Sequence, residues 1–410
     1  MWRWIQGAAF ATAMICGGAN AFADDLAFAQ DKPIYKVGFE ALAAEAQAKT
    51  GLKLRLDTYQ PEDKFVAFIQ ASVAADSLPP FFSWWNGTSL HDIVASGRVA
   101  PLDDFWNAAV KEGNFAPETG DLLTVDGHMY GIPLGYGHWV ALYNKKLFAK
   151  AGISGPPATW QEFLDDAAKL KASGITPISA TIQSGWRAFI WFQEIMLRTD
   201  PDAFRGLFTG KTSYDGPAVR NAFKIWGDLY AKGYMTDPRS QQDIVDYASG
   251  KGAIYLMGDW SIGPVENAGL KDDDLGVFIM PLINPQAQDC IIVEEGPILV
   301  PKTAINRPEV QTMIKFLLSA DAANVLRDKQ GLYVGNLKST PRSHLMGDEA
   351  AQIAARKPVV VARWWESTPV ELQNDLVAEF GKFMLDPTPA TADKAMANMQ
   401  SLNRGYWDSH

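Results

Sequence analysis

Cysteine is almost missing from this chain: Cys16 and Cys290 are the only two in 410 residues. Cys16 falls in a segment expected to be removed, so the mature chain has no internal disulfide and depends on packed cores. Histidine is scarce too, limited to His91, His128, His138, His344 and His410. No two of them stand four apart and none joins a cysteine cluster, so the pattern supports neither a metal site nor a cofactor. Positive charge is in deficit, 37 basic against 47 acidic residues with a net charge of -10. That balance argues against nucleic acid and anionic lipid as partners.

Catalytic signatures are missing as well. There is no Gly-x-Ser-x-Gly elbow, and the glycine stretches around Gly135 and Ser249 lack the strand-loop-helix order of a phosphate cradle. The adjacent acids Asp103-Asp104 and Glu294-Glu295 point to opposite faces if they lie on strands, so neither pair makes a ready dyad for glycan cleavage. No enzyme activity is expected.

What is present begins with MWRWIQGAAFATAMICGGANAFA, where Arg3, an apolar stretch from Ile5 to Ile15 and small residues at Ala21 and Ala23 form a secretory signal. Cleavage is expected after Ala23, which places the mature protein in the periplasm. No later run has the roughly 20 apolar residues of a membrane span. The length exceeds what one core usually serves, about 250–300 residues, so two lobes are expected.

In the first part, the alternating LKLRLD, the helical spacing of Phe65, Phe68, Ile69 and Val73, the run Pro80 to Trp85 and a short helix ended by Gly97 give strand and helix in alternation. That order favours a parallel sheet with helices on its faces. Met129 to Gly152 reads as a Gly/Pro-punctuated irregular passage, suited to a crossing between lobes, followed by a strand over about Trp139 to Tyr143. Thr159 and Glu162 form a capping box ahead of a helix that Gly174 stops. A further helix runs from Pro217 to Gly233, GAIYLMGDW, LGVFIMPLI and PILVPK read as strands, and Asn306 to Gly331 as one or two helices.

Aromatic residues gather where strands end or loops begin: Trp84 and Trp85 before Asn86, Tyr136 with His138 and Trp139, Trp186 beside Arg187, Trp260 beside Asp259, and Trp364 and Trp365. Strand carboxyl ends line the ligand crevice of open α/β sheets. Aromatic faces with a few fixed polar groups suit a sugar ring, its C–H faces on the π systems and its hydroxyls bonded at the edges. On a strand only one of Trp84 and Trp85 can easily be core, which leaves its neighbour and Asn86 for the sugar. Asp259, Glu294 and Glu295 beside tryptophans equally suit a polyamine through charge pairing and cation–π contact.

The export signal, the passage DGHMYGIPLGYGHWVALYNKKLFAKAGISGPPATWQEFLDDAAKLKASGITPI, the later KGAIYLMGDW and ILVPKTAINRPEVQTMIKFLLSADAANVLRDKQG together resemble family 1 extracellular solute-binding proteins. These are the sugar-binding components of ABC importers, related to maltose-binding protein. The resemblance implies a two-lobe α/β periplasmic binding protein fold of type II, each lobe a mixed or parallel sheet flanked by helices, joined by three hinge crossings. On this sequence the crossings fall near Gly135 to His138, Ile292 to Glu295 and Gly335 to Lys338. Lobe 1 is then 24–136 with 295–336, and lobe 2 is 137–294 with 337–410. The family pattern puts a stacking aromatic at Trp260, another at Trp364 or Trp365, and Tyr136 on the first hinge. It implies a mono- or oligosaccharide ligand, ABC permease subunits as partners and a monomer. The alternatives are a polyol, polyamine or glycerol phosphate as ligand, or a secreted glycan-cleaving enzyme.

Overall fold

The structure, a computed structural model, describes residues 25–332, 334–339 and 343–409. The segment expected to be an export signal, with Cys16, and His410 lie outside them. Among the described residues, ten strands carry the framework: β1 (Leu26–Gln30), β2 (Leu54–Thr58), β3 (Phe81–Ser83), β4 (Thr124–Val125), β5 (His128–Met129), β6 (Gly131–Asn144), β7 (Ile254–Gly258), β8 (Leu275–Phe278), β9 (Cys290–Leu299) and β10 (Val359–Ala362).

The expected alternation opens the chain, with helices Lys36–Thr50, Glu62–Ala74 and Gly87–Ala95 following β1, β2 and β3. β1 pairs in parallel with β2 and β3, and β9 and β6 continue the sheet antiparallel. Every residue of β1 is buried, as a strand covered on both faces requires. Successive side chains serve opposite layers: Phe28 and Phe81 join a cluster with Phe39 and Met313, while Ala29 and Phe82 join one with Phe65, Ile69, Trp84 and Trp85.

A larger apolar cluster, around Trp139, Trp226, Trp364 and Phe380, forms the other lobe. There the second half of β6 pairs antiparallel with β7 and β8. Helix Trp160–Ala172 starts at the expected box: Glu162 N donates to Thr159 Oγ1 at 3.2 Å, and the Glu162 carboxylate accepts from Ala158 N at 2.7 Å, one residue earlier than the motif's usual partner. Asn306 to Gly331 holds two helices, Pro308–Leu317 and Ala320–Gln330. No helix among the described residues is long and apolar enough to cross a membrane.

The passage expected to be irregular is instead the front of one 14-residue strand, β6. It pairs with β9 from Gly131 opposite Leu299 to His138 opposite Val293, with a register shift between Pro133 and Gly135. Proline has no N–H for a ladder, so it sits where pairing is already irregular. The expected strand PILVPK likewise ends a longer one, since β9 runs back to Cys290 and pairs there with β10. Both strands thus pass from one core to the other as a paired ribbon. The third passage follows Gln330: Leu332 and Val334 pack in the first-lobe core and Leu345 in the second. Gly335 on this passage has φ 74°, and a Cβ there would lie 2.7 Å from the Thr119 side chain and 3.6 Å from Tyr136. Only glycine combines that conformation with such close approach to the first crossing.

Candidate functional site

The cleft is walled by groups at strand ends. β1 ends at Gln30, and Asp31 follows, accepting from Ser83 Oγ at 3.0 Å and pairing with Lys32 Nζ at 3.0 Å. Lys32 Nζ lies 4.9 Å from the centre of the Trp85 ring. β3 stops at Ser83, and after one last bond from Trp84 N to Pro297 O of β9 at 2.9 Å the backbone leaves the ladder, so Trp85 is not bound to the face opposite Trp84. Both pack in one cluster, 8% and 9% exposed, with ring centres 5.0 Å apart, and Trp84 Nε1 donates to Ser89 O at 2.9 Å.

Asn86 is the N-cap of helix Gly87–Ala95 but makes no cap bond. It is fully buried, and neither its amide nitrogen nor its amide oxygen has a hydrogen-bond partner. Leaving such groups unpaired costs about 1–3 kcal/mol each. The residues just after it touch the other lobe. A Cβ on Gly87, where φ is 63°, would fall 2.1 Å from Glu366 O, and the Thr88 hydroxyl lies 3.0 Å from the carbonyls of both Glu366 and Thr368.

On the second lobe an aromatic wall runs from Trp260 through Trp186 to Trp139 and Phe189, with neighbouring ring centres 6.4 Å apart or closer, and Phe189 stacks with Trp365 at 6.2 Å. Arg363 lies 5.6–5.8 Å from the ring centres of Trp186, Trp139 and Phe189. Its guanidinium is gripped by Glu366, with Nε donating at 2.8 Å, and reaches Glu294 at 3.1 Å. Trp260 Nε1 donates to the same Glu294 oxygen at 3.1 Å. Arg187 stacks on Trp186 at 4.5 Å and pairs with Asp243 at 2.9 Å.

Burial drives the Tyr35 hydroxyl well above its ordinary range, with Glu294, Asp259 and Asp31 acting in the same sense and Arg363 opposing. Asp259 is also raised, first by burial and then by the charges of Glu349 and Glu294, while His138 opposes. Burial alone would lower the His138 imidazole, but its hydrogen bond and charge pairing with Glu349 outweigh that and raise it.

The structure thus gathers Trp186, Arg187, Trp260 and Glu294 around Arg363, with Tyr136, His138 and Asp259 beside them at the crossing, while the expected Trp139 is enclosed in the second-lobe core and backs this wall from within, together with Phe189. Others of the expected residues go elsewhere. Trp364 is fully enclosed in the second-lobe core, its Nε1 donating to the Tyr214 hydroxyl at 3.2 Å. Glu295 takes the opposite face of β9 from Glu294 and is 2% exposed, with neither carboxylate oxygen hydrogen-bonded. Asp31, Tyr35 and Glu349 were missed by sequence reasoning. Asp31 had a signal, its place directly after the first strand, whereas Glu349 has none, since it arrives from a helix some 200 residues away from the crossing it meets.

A cavity of about 360 Å³ opens between the lobes. Trp84, Trp85 and Ser89 line it from the first lobe and Trp365, Glu371 and Gln373 from the second, with Asp92 facing Glu371. A larger hollow of about 700 Å³ near Asp200, Arg205 and Asn284 contains none of the aromatic wall.

A profile of the bacterial extracellular solute-binding protein family matches residues 32–324. An uncharacterised ABC transporter extracellular-binding protein of Pyrococcus horikoshii is 26% identical over 287 residues, 68% of this chain and 64% of that protein. The maltotriose-binding protein of Pyrococcus abyssi is 26% identical over 225 residues, 52% of this chain and 44% of that one. The sn-glycerol-3-phosphate-binding periplasmic protein of Escherichia coli is 33% identical over 133 residues, 30% and 28% of the two chains. This chain therefore spans less than two thirds of the length of each of these three relatives. Among solved structures, a chitin oligosaccharide binding protein superposes with TM-score 0.79 at 22% identity, covering 93% of this chain and 98% of that one. A bacterial solute receptor with a substrate preference for β-D-galactopyranose gives 0.82 at 22% identity, covering 93% and 99%. These likenesses establish the two-lobe fold.

Proposed function

The chain belongs to the bacterial extracellular solute-binding protein family, and from that premise we propose that it captures an uncharged mono- or oligosaccharide between its lobes and delivers it to the permease of an ABC importer. Asn86 carries this reading. A buried amide with both ends unpaired, one residue before the point where the lobes touch, is matched by a hydroxylated ligand that supplies a donor and an acceptor together. The half-buried rings of Trp186, Trp260 and Trp365 offer the apolar faces on which a pyranose rests. Closure of the lobes over the sugar supplies the altered surface that a permease reads.

Charge pairing favours a neutral ligand. Arg363 already faces Glu366 and Glu294, Arg187 faces Asp243, and Lys32 faces Asp31. A phosphate ester would have to compete with these carboxylates for every one of these cations. One observation favours a second reading, an amine-bearing solute such as a polyamine: Asp92 and Glu371 face each other across the tryptophan-lined cavity, which no basic residue lines among those described.

The test is a thermal unfolding screen of the chain from Asp24 onward against saccharides, polyols, polyamines and glycerol phosphates. A ligand at about 100 times its Kd adds roughly 2.7 kcal/mol, a shift of degrees. One saccharide raising the transition, and recovered uncleaved, upholds the proposal. A response confined to amines establishes the second reading, and one confined to phosphates refutes both.

A further inference from the structure

Behind the aromatic wall three side chains from separate parts of the chain converge. His138 comes from β6, Asp259 from the turn after β7, and Glu349 from helix His344–Arg356 beyond the third passage. One imidazole nitrogen and one oxygen from each carboxylate lie within 4.8 Å of one another. His138 Nδ1 is 2.6 Å from Glu349 Oε1 and 3.9 Å from Asp259 Oδ2. Side-chain exposure is only 14%, 8% and 5% for His138, Asp259 and Glu349. The remaining oxygen, Glu349 Oε2, is buried and accepts no hydrogen bond.

Charge counting shows what this cluster lacks. In a closed site two carboxylates and an imidazole must either retain an extra proton between them or leave a negative charge uncompensated, and the second is expensive. A divalent cation with a neutral imidazole brings the sum to zero and gives Glu349 Oε2 a partner. We propose that His138, Asp259 and Glu349 bind a divalent transition-metal ion of the zinc class.

Metal bonds of about 2.0–2.2 Å set ligand atoms about 3–4 Å apart, so the nitrogen and the two oxygens reach that spacing by side-chain shifts of under about 1 Å. A nitrogen ligand beside two carboxylates selects zinc-like ions over magnesium and calcium, which prefer oxygen alone. Three protein ligands leave a fourth position for water or for an oxygen of a bound solute. Support around the site is built in: the main-chain N–H of His138 donates to Asp259 Oδ2 at 3.2 Å, orienting that carboxylate. The packing also depends on Gly137, because a Cβ there would lie 2.6 Å from Asp259 Oδ1. An ion held there ties the first crossing to the helix that follows the third. The proposal is independent of which solute the cleft takes.

The experiment starts from protein stripped with chelator. Equilibrium dialysis against micromolar Zn²⁺ with metal analysis reads stoichiometry, and Co²⁺ substitution reads geometry by its visible spectrum. One equivalent is expected. Glu349→Gln and, separately, His138→Asn should each weaken uptake at least about tenfold, whereas His128→Asn, at an exposed histidine paired with Asp103, should leave it unchanged. Two variants on different elements guard against a local folding defect in one of them. Less than a tenth of an equivalent bound by the parent, or parent-like uptake by both site variants, overturns the proposal.

Discussion

Glu295 offers the sharpest test of how the hinge is built. Its carboxylate is buried beside the crossing, without a hydrogen bond, and its pKa stands well above the ordinary carboxylate range, first because of burial and then because of Asp121. Its unfolded value is about 4.5. Below that pH the group is neutral in both states and costs nothing electrostatically. As pH rises above it, the unfolded chain ionises while the folded chain must keep the proton, so stability falls by about 1.4 kcal/mol per pH unit until the folded pKa is reached. Glu295→Gln cannot ionise and removes that slope. The variant carries its own packing and amide cost, but this is independent of pH and cancels between two conditions. The measurable quantity is therefore the stability difference between variant and parent at pH 7.5 minus the same difference at pH 4.5, from urea denaturation of ligand-free protein. It should be positive, in the variant's favour, and exceed about 1 kcal/mol. A value of zero would mean that the carboxylate is solvated or paired in the folded state, and the account of this hinge would be wrong.

Asn86→Ala should split two measurements that usually move together. Ligand-free stability stays level or rises, because an unpaired buried amide is removed, while ligand affinity falls by about 1–3 kcal/mol in a calorimetric titration. Trp84→Ala and Trp85→Ala should each lower unfolding stability by about 3–5 kcal/mol, since both rings fill one cluster; unchanged melting of either would show that its ring is not core. Gly87→Ala meets both a left-handed backbone conformation and the Glu366 carbonyl, so small-angle scattering with ligand should show incomplete closure, and affinity should fall roughly five- to thirty-fold.

The order of elements was legible because the physics behind it is local. Alternation in LKLRLD, the Thr159 cap and the glycine stops act within a few residues, and each is found where the pattern puts it. Longer-range features were not. Gly135 and Pro133 suggest a loop from their neighbours alone, and only pairing with a segment some 160 residues later makes them strand. The aromatic positions were visible, but their burial was not: whether Trp364 or Trp365 meets the cleft depends on where Tyr214 and Phe189 arrive. Glu294 and Glu295 show a mixed case, since alternation along β9 foretells opposite faces without saying which face is the cleft.

The paired ribbon of β6 and β9 has a consequence for the order of synthesis. β9 lies between β3 and β6 in the first lobe's sheet, although about 150 residues separate it from β6 along the chain. A nascent chain that has emerged as far as residue 285 therefore holds β1, β2 and β3 as a sheet with one side still open, and β6 has no partner along its first half. Both lobes must wait, since Trp226 in the second packs against Phe380 and Phe383, which emerge later still. Until Leu299 emerges, the row of N–H and C=O groups on β3 is an edge open to intermolecular pairing. An exported chain that stays extended until complete avoids that interval altogether.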